Sequence, residues 1–131
     1  MSTRILCLLG FIAIMQQACL MIPKKAAVPI NAMVNRIDSG IDVLIKDYGN
    51  QPDNILQGSC DTIEWKLDSL AKITSSSIHG QPGRIILYKY MEDCKSIILL
   101  SKNPNLNINA FATALAGLGN SRAALKSRLM Y

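Results

Sequence analysis

The sequence predicts an all-α protein, a four-helix up-down-up-down bundle with one inter-helix disulfide, and three observations carry that prediction. Half of the 131 residues are apolar but only 5% are aromatic. The core must therefore be built from Ile, Leu, Val, Met and Ala, which suits packed helices better than an aromatic-rich sandwich. From Ile30 onward the apolar residues recur at spacings of three and four, the stripe of a 3.6-residue helix. Gly, Pro, Ser and Asn clusters interrupt that rhythm and leave four segments of similar length on short connections, the pattern of a bundle.

The chain opens on a different pattern. Arg4 precedes an unbroken apolar run over residues 5–15, followed by Gln16, Gln17, Ala18 and Cys19. A charged start with 11 apolar residues fits a secretory signal, whose apolar core needs ~7–15 residues, and falls short of the ~20 that span a membrane. Residues 1–18 are read as a signal peptide, with cleavage somewhere between 18 and 25. Residues 19–29 are a short leader or mature N-terminus, and residues 30–131 the bundle domain. Lys24-Lys25 is either a dibasic processing site or a solvated start to the mature chain. The expected localisation is secreted and extracellular.

The first helix is expected from Ile30 to Tyr48, entered through Pro29, with Ile30, Val34, Ile37, Ile41, Leu44 and Tyr48 on one stripe. Gly49 supplies a left-handed cap and Pro52 prevents continuation. Asp53 caps the second helix, whose stripe is Leu56, Cys60, Ile63, Leu67 and Leu70. It should fail near Thr74-Ser75-Ser76-Ser77, where hydroxyls compete for backbone hydrogen bonds. A loop through His79 leads to the third helix after Gly83, with Leu87, Met91, Cys94 and Ile98 on one stripe and Ile86, Tyr90, Ile97 and Leu100 widening it. Asn107 or Asn109 caps the fourth, with Phe111, Leu115, Leu118, Arg122, Leu125 and Leu129 in register.

Cys60 and Cys94 lie on the apolar stripes of neighbouring helices in an oxidising compartment, and the expectation is a disulfide between them. Closing a loop of that length stabilises by roughly 4 kcal/mol in the chain-entropy model. No metal is expected, because CxxC and CxxH spacings are absent and His79 is the single histidine, too few ligands for a closed site. No catalytic residue is assigned either. His79 beside Ser75, Ser76 and Ser77 lacks the converging rigid elements that a nucleophile and base require, and no catalytic or phosphate-loop motif occurs. The chain is not expected to be an enzyme, and no cofactor is implied.

The formal charge is +5, yet residues 26–131 hold 11 Lys+Arg against 9 Asp+Glu. No basic cluster that would track phosphates remains, and nucleic acid is excluded as a partner. The charges are unevenly shared. Residues 30–74 carry 4 Lys+Arg and 7 Asp+Glu, residues 84–131 carry 7 and 2, so the first hairpin is acidic and the second basic. The hairpins either attract each other within one molecule or present a dipolar surface to a partner.

Two residues stand out as candidates for binding. Trp65 flanks the second stripe and either packs over the core edge or anchors a partner. Arg122 interrupts the fourth stripe, where it either snorkels out or meets an anionic group, such as an acidic side chain of the first hairpin or a ligand head. The expected function is non-catalytic binding to an extracellular protein partner, of effector or signalling type. One alternative is a carrier holding an apolar small molecule within the bundle, on the broad third face with Tyr88, Tyr90 and Met91. Another is a membrane-active defence protein whose last helix, with Arg122, Lys126 and Arg128, meets a lipid surface. No integral membrane span is expected once the signal is removed.

Overall fold

The computed structural model describes residues 22, 24–50, 53–78, 81–103 and 108–129. The expected signal peptide over residues 1–18, Cys19 and His79 lie outside the described residues. Four helices make up the fold: α1 Lys24–Lys46, α2 Asp53–Ser77, α3 Gln81–Lys102 and α4 Ile108–Leu129. No strand occurs among the described residues.

The stripes read from spacing form the core. Ile30, Val34, Ile37, Ile41 and Leu44 of α1 are buried, as are Cys60, Ile63, Leu67 and Leu70 of α2. Both rows of α3 are buried from Leu87 to Ile98, while α4 contributes Phe111, Leu118 and Leu125. Tyr48, Leu56 and Leu115 pack half-buried against that cluster. α1 and α3 each pack against all three other helices, whereas among the described residues no comparable contact joins α2 to α4.

Helix boundaries differ from the expectation in four places, each for a local reason. α1 stops at Lys46 rather than Tyr48, where turns take over with the Tyr48 N–H on the Ile45 carbonyl at 3.3 Å. α1 begins at Lys24, so Pro29 lies inside it and the Lys25 carbonyl loses its normal donor. The apolar stripe explains why helix persists through that loss: Ala26 and Ala27 are buried in line with Ile30, and Ile22 is buried ahead of them, its N–H donating to the Arg128 carbonyl at 3.3 Å. α2 runs on to Ser77 because its hydroxyls serve the helix. Thr74 donates to the Leu70 carbonyl at 2.8 Å and Ser76 to that of Ile73 at 3.2 Å. α3 starts at Gln81, placing Pro82 in the first turn, where a missing N–H costs no hydrogen bond. Gly49, with φ of 78°, makes the left-handed stop after α1.

The expected Cys60–Cys94 disulfide is not formed; both cysteines are buried free thiols. Their stripes face the same core but at different levels. Lys102 reaches across to Glu64 at 3.1 Å, one turn from Cys60, whereas Cys94 sits two turns earlier in α3, beside Tyr90. Glu64 pairs with Lys102 and Ser75 with Tyr88, so the four residues back to Cys60 and the eight back to Cys94 add. Twelve residues at 1.5 Å per residue is about 18 Å along the helix axis, far beyond the ~7 Å Cα separation that a disulfide bridges.

Candidate functional site

A cluster of half-buried and buried polar side chains lies where α1, α3 and α4 meet. Asp38 accepts the Tyr90 hydroxyl and the Arg122 Nε at 2.9 Å, and Arg122 Nη2 reaches Asp42 Oδ1 at 3.0 Å. Burial lowers the guanidinium's proton affinity, but Asp38 and Asp42 outweigh it and hold Arg122 above its ordinary range. Tyr90 is pushed well above its usual value by burial, by Cys94 and by Asp38. Cys94 is pushed up to about 12, chiefly by burial. Burial likewise raises the Cys60 thiol. A thiol held protonated is a poor nucleophile, so neither cysteine is equipped for covalent chemistry.

A second buried pair lies one step away. Asp93 of α3 accepts Ser121 of α4 and, at 3.1 Å, Lys89 one turn back. Gly117 of α4 faces Asp93, where a Cβ would make ordinary contact at 3.7 Å from Oδ1. Both clusters join helices through satisfied donors and acceptors, the condition under which buried polar groups are tolerated. Among the described residues no group of three or more His, Cys, Asp or Glu is placed to hold a metal ion.

The α1–α2 face of the molecule is open. α1 and α2 approach closely at Gly40, where a Cβ would lie 2.9 Å from Ile63 Cγ1. Outside that contact runs a groove of about 510 Å³ lined by Gly40 and Val43 on one side and Ile55, Gly58, Thr62 and Lys66 on the other. Val43 and Ile55 are about half exposed, and Trp65 is 67% exposed. Trp65 shares the outer ridge of α2 with Gly58, Thr62 and Ser69, its i−7, i−3 and i+4 neighbours. The hydroxyls on this ridge are already used: Thr62 donates to the Gly58 carbonyl at 2.8 Å and Ser69 to that of Trp65 at 3.0 Å. Asp61 and Asp68 flank Trp65 on the side toward α3.

The structure therefore separates the residues singled out from sequence. Trp65 is neither at the core edge nor near Arg122; it stands on the outer surface of α2. Arg122 is met by the acidic hairpin, as one of its two readings expected. Tyr90 and Met91, which suggested a carrier, are buried in the core, and Tyr88 lies at the surface bonded to Ser75 at 3.0 Å. The groove was missed, although Gly40 and Gly58, within helices but off their apolar stripes, were its signal. No protein-family model matches the chain, and no curated protein or solved structure is significantly similar to it.

Proposed function

We propose that this chain is a secreted, non-catalytic binding protein whose contact surface for an extracellular protein partner is the outer ridge of α2 with the α1–α2 groove. One observation carries this reading: Trp65, the single Trp of the chain, is 67% exposed on a ridge whose other members are small. Trp is among the side chains most enriched where a few residues supply most of a binding energy. Because Thr62 and Ser69 already donate to their own helix, covering the ridge strands few polar groups. Secretion rests on the charged start and the apolar run of residues 5–15.

An up-down-up-down order is supported by the pairs that cross between helices. Gly40 meets Ile63, Glu64 meets Lys102 and Ser75 meets Tyr88. Asp93 meets Ser121, α1 meets α4 through Asp38–Arg122, and Tyr48 just past α1 stacks on Phe111 near the start of α4.

The test places a photoreactive residue at Ser69, beside an intact Trp65, and irradiates the purified protein in its native extracellular fluid. A defined protein adduct that disappears in Trp65→Ala is expected. No adduct, or one indifferent to Trp65→Ala, overturns the proposed surface, and native protein retaining residues 1–18 overturns secretion.

A further inference from the structure

The fold sorts charge along the helices. Residues 22–37, 69–91 and 115–129 hold nine Lys+Arg and no Asp or Glu, whereas residues 38–68 and 92–114 hold all nine Asp+Glu of the chain and four Lys. Contacts gather the first three segments at one end of the molecule. The Ile22 N–H meets the Arg128 carbonyl and ties the start of α1 to the end of α4. A Cβ at Gly83 would lie 3.6 Å from Ile22 and 3.1 Å from Ile78. Arg84 donates to the carbonyls of Ile78 and, at 3.0 Å, of Ser75, so the start of α3 and the end of α2 close the same end. The boundary between the two zones runs through Asp38, Tyr90 and Arg122, which meet.

Ion pairs lie along that boundary and stop there. Arg122 is matched to Asp38 and Asp42, and Lys89 to Asp93. Lys25, Lys72, Arg84, Lys126 and Arg128, nearer the end, have no carboxylate partner among the described residues. Like charges gathered in this way repel one another in the isolated molecule and set up a field that draws an anionic surface. The same end exposes apolar side chains, Val28 at 53% and Ile85 at 64%. Val28 shares a helix face with Lys25, and Ile85 with Lys89, at i+3 and i+4. A soluble polyanion would engage the cations and leave these two side chains in water. A lipid surface takes both, the charges at the headgroups and the apolar groups at the acyl boundary.

We infer that this end is a second contact surface, by which the folded bundle docks on an anionic membrane surface. It is separate from the α2 ridge, since Trp65 lies in the acidic zone among Asp61, Glu64 and Asp68. What docks is the closed bundle and not a freed α4, because Arg122 of α4 is tied to Asp38 and Asp42 of α1. Lys72 stands five residues before Ser77, where α2 ends, about 7.5 Å along the axis. That is within the ~8 Å over which a charged surface acts at physiological salt.

The test is flotation of the purified protein with vesicles of phosphatidylcholine alone and of equal parts phosphatidylcholine and phosphatidylglycerol. Binding is expected to the anionic vesicles only, and weaker as salt rises. Lys72→Glu with Lys126→Glu should weaken it by about 25-fold or more, at about fivefold per cation near an anionic surface. Ile85→Ser should weaken it by about threefold or more. Lys46→Glu with Lys95→Glu makes the same change of net charge in the acidic zone and should leave binding within about threefold. All four lysines are exposed, so circular dichroism should be the same in both pairs of variants. No flotation with the anionic vesicles, or equal flotation with phosphatidylcholine alone, overturns the inference. So does an equal loss from the two lysine pairs, which would make net charge the cause and not its location. Retention on heparin without flotation, or vesicle binding indifferent to Ile85→Ser, overturns the lipid surface in favour of a soluble polyanion.

Discussion

The α1–α2 contact and the α1–α3–α4 junction are joined by opposite means. The first is a dry approach of backbones, with Gly40 against Ile63. The second is threaded by Asp38, Tyr90, Arg122, Asp93 and Ser121, each matched to a donor or acceptor. A dry contact is sensitive to added volume and an apolar core to any charge, whereas a buried polar junction is sensitive to losing one member of a pair. The charge asymmetry of the chain belongs to the second kind of joint. Glu64–Lys102, Asp38–Arg122 and Asp42–Arg122 all run from the acidic α1–α2 half to the basic α3–α4 half, so the two halves attract each other within the molecule.

The largest effect should come from a charge placed in the dry core. Leu67→Asp is expected to abolish cooperative unfolding, a loss above ~4 kcal/mol, because no partner waits there; a sharp two-state denaturant curve would contradict the burial of α2. Next comes the polar junction. Asp38→Ala leaves the Tyr90 hydroxyl and much of the Arg122 charge unmatched and should cost about 2–3 kcal/mol in denaturant unfolding. A loss below ~0.5 kcal/mol would mean the junction is solvated.

Alkali should separate the same two joints. Cys94 and Tyr90 keep their protons in the fold beyond the pH at which the unfolded chain releases them. The native state therefore binds more protons than the unfolded one above about pH 9, and stability falls as pH rises. Cys94 alone contributes a slope of about 1.4 kcal/mol per pH unit between its ordinary value of 9.0 and about 12. Unfolding midpoints measured from pH 8 to 11 should decline along this course, and more shallowly in Cys94→Ala.

The smallest expected effect is a contrast of sign between two glycines of the α1–α2 face. Gly58→Ala adds a methyl in open space and should stabilise by about 1 kcal/mol through helix propensity. Gly40→Ala drives a methyl to 2.9 Å from Ile63 and should cost about 1–2 kcal/mol net, since overpacking exceeds the propensity gain. Equal shifts in melting temperature would deny the close approach.

What was legible in the sequence was the angular position of side chains around each helix, and what was not legible was their level along it. Spacing of three and four identified the inward residues from Ile30 to Leu44 and from Leu87 to Ile98. The same spacing placed Cys60 and Cys94 on inward faces but is silent about axial register, and the disulfide expectation failed on register. Trp65 was readable in principle, because five residues from Cys60 is about 140° of rotation, toward the outside. Pro29 is a misleading start signal, because the stripe continuing through Ala26 and Ala27 outweighs local punctuation. Which carboxylate would meet Arg122 depends on how α1 and α4 align, which no single helix encodes.

The burial of Ile22 bears on how the chain can be cut. Lys24 and Lys25 form the first turn of α1, and Ile22 ahead of them is lodged near Ile78 and Gly83, with its N–H on the Arg128 carbonyl. A protease that cuts after a dibasic pair needs extended backbone. It can act only on molecules in which that turn has unwound and Ile22 has left its seat. The rate of such a cut would report the population of this locally open form, a partial unfolding at one end of the bundle. A chain so cut would lose an anchor that ties its start to the end of α4 and to the connection between α2 and α3.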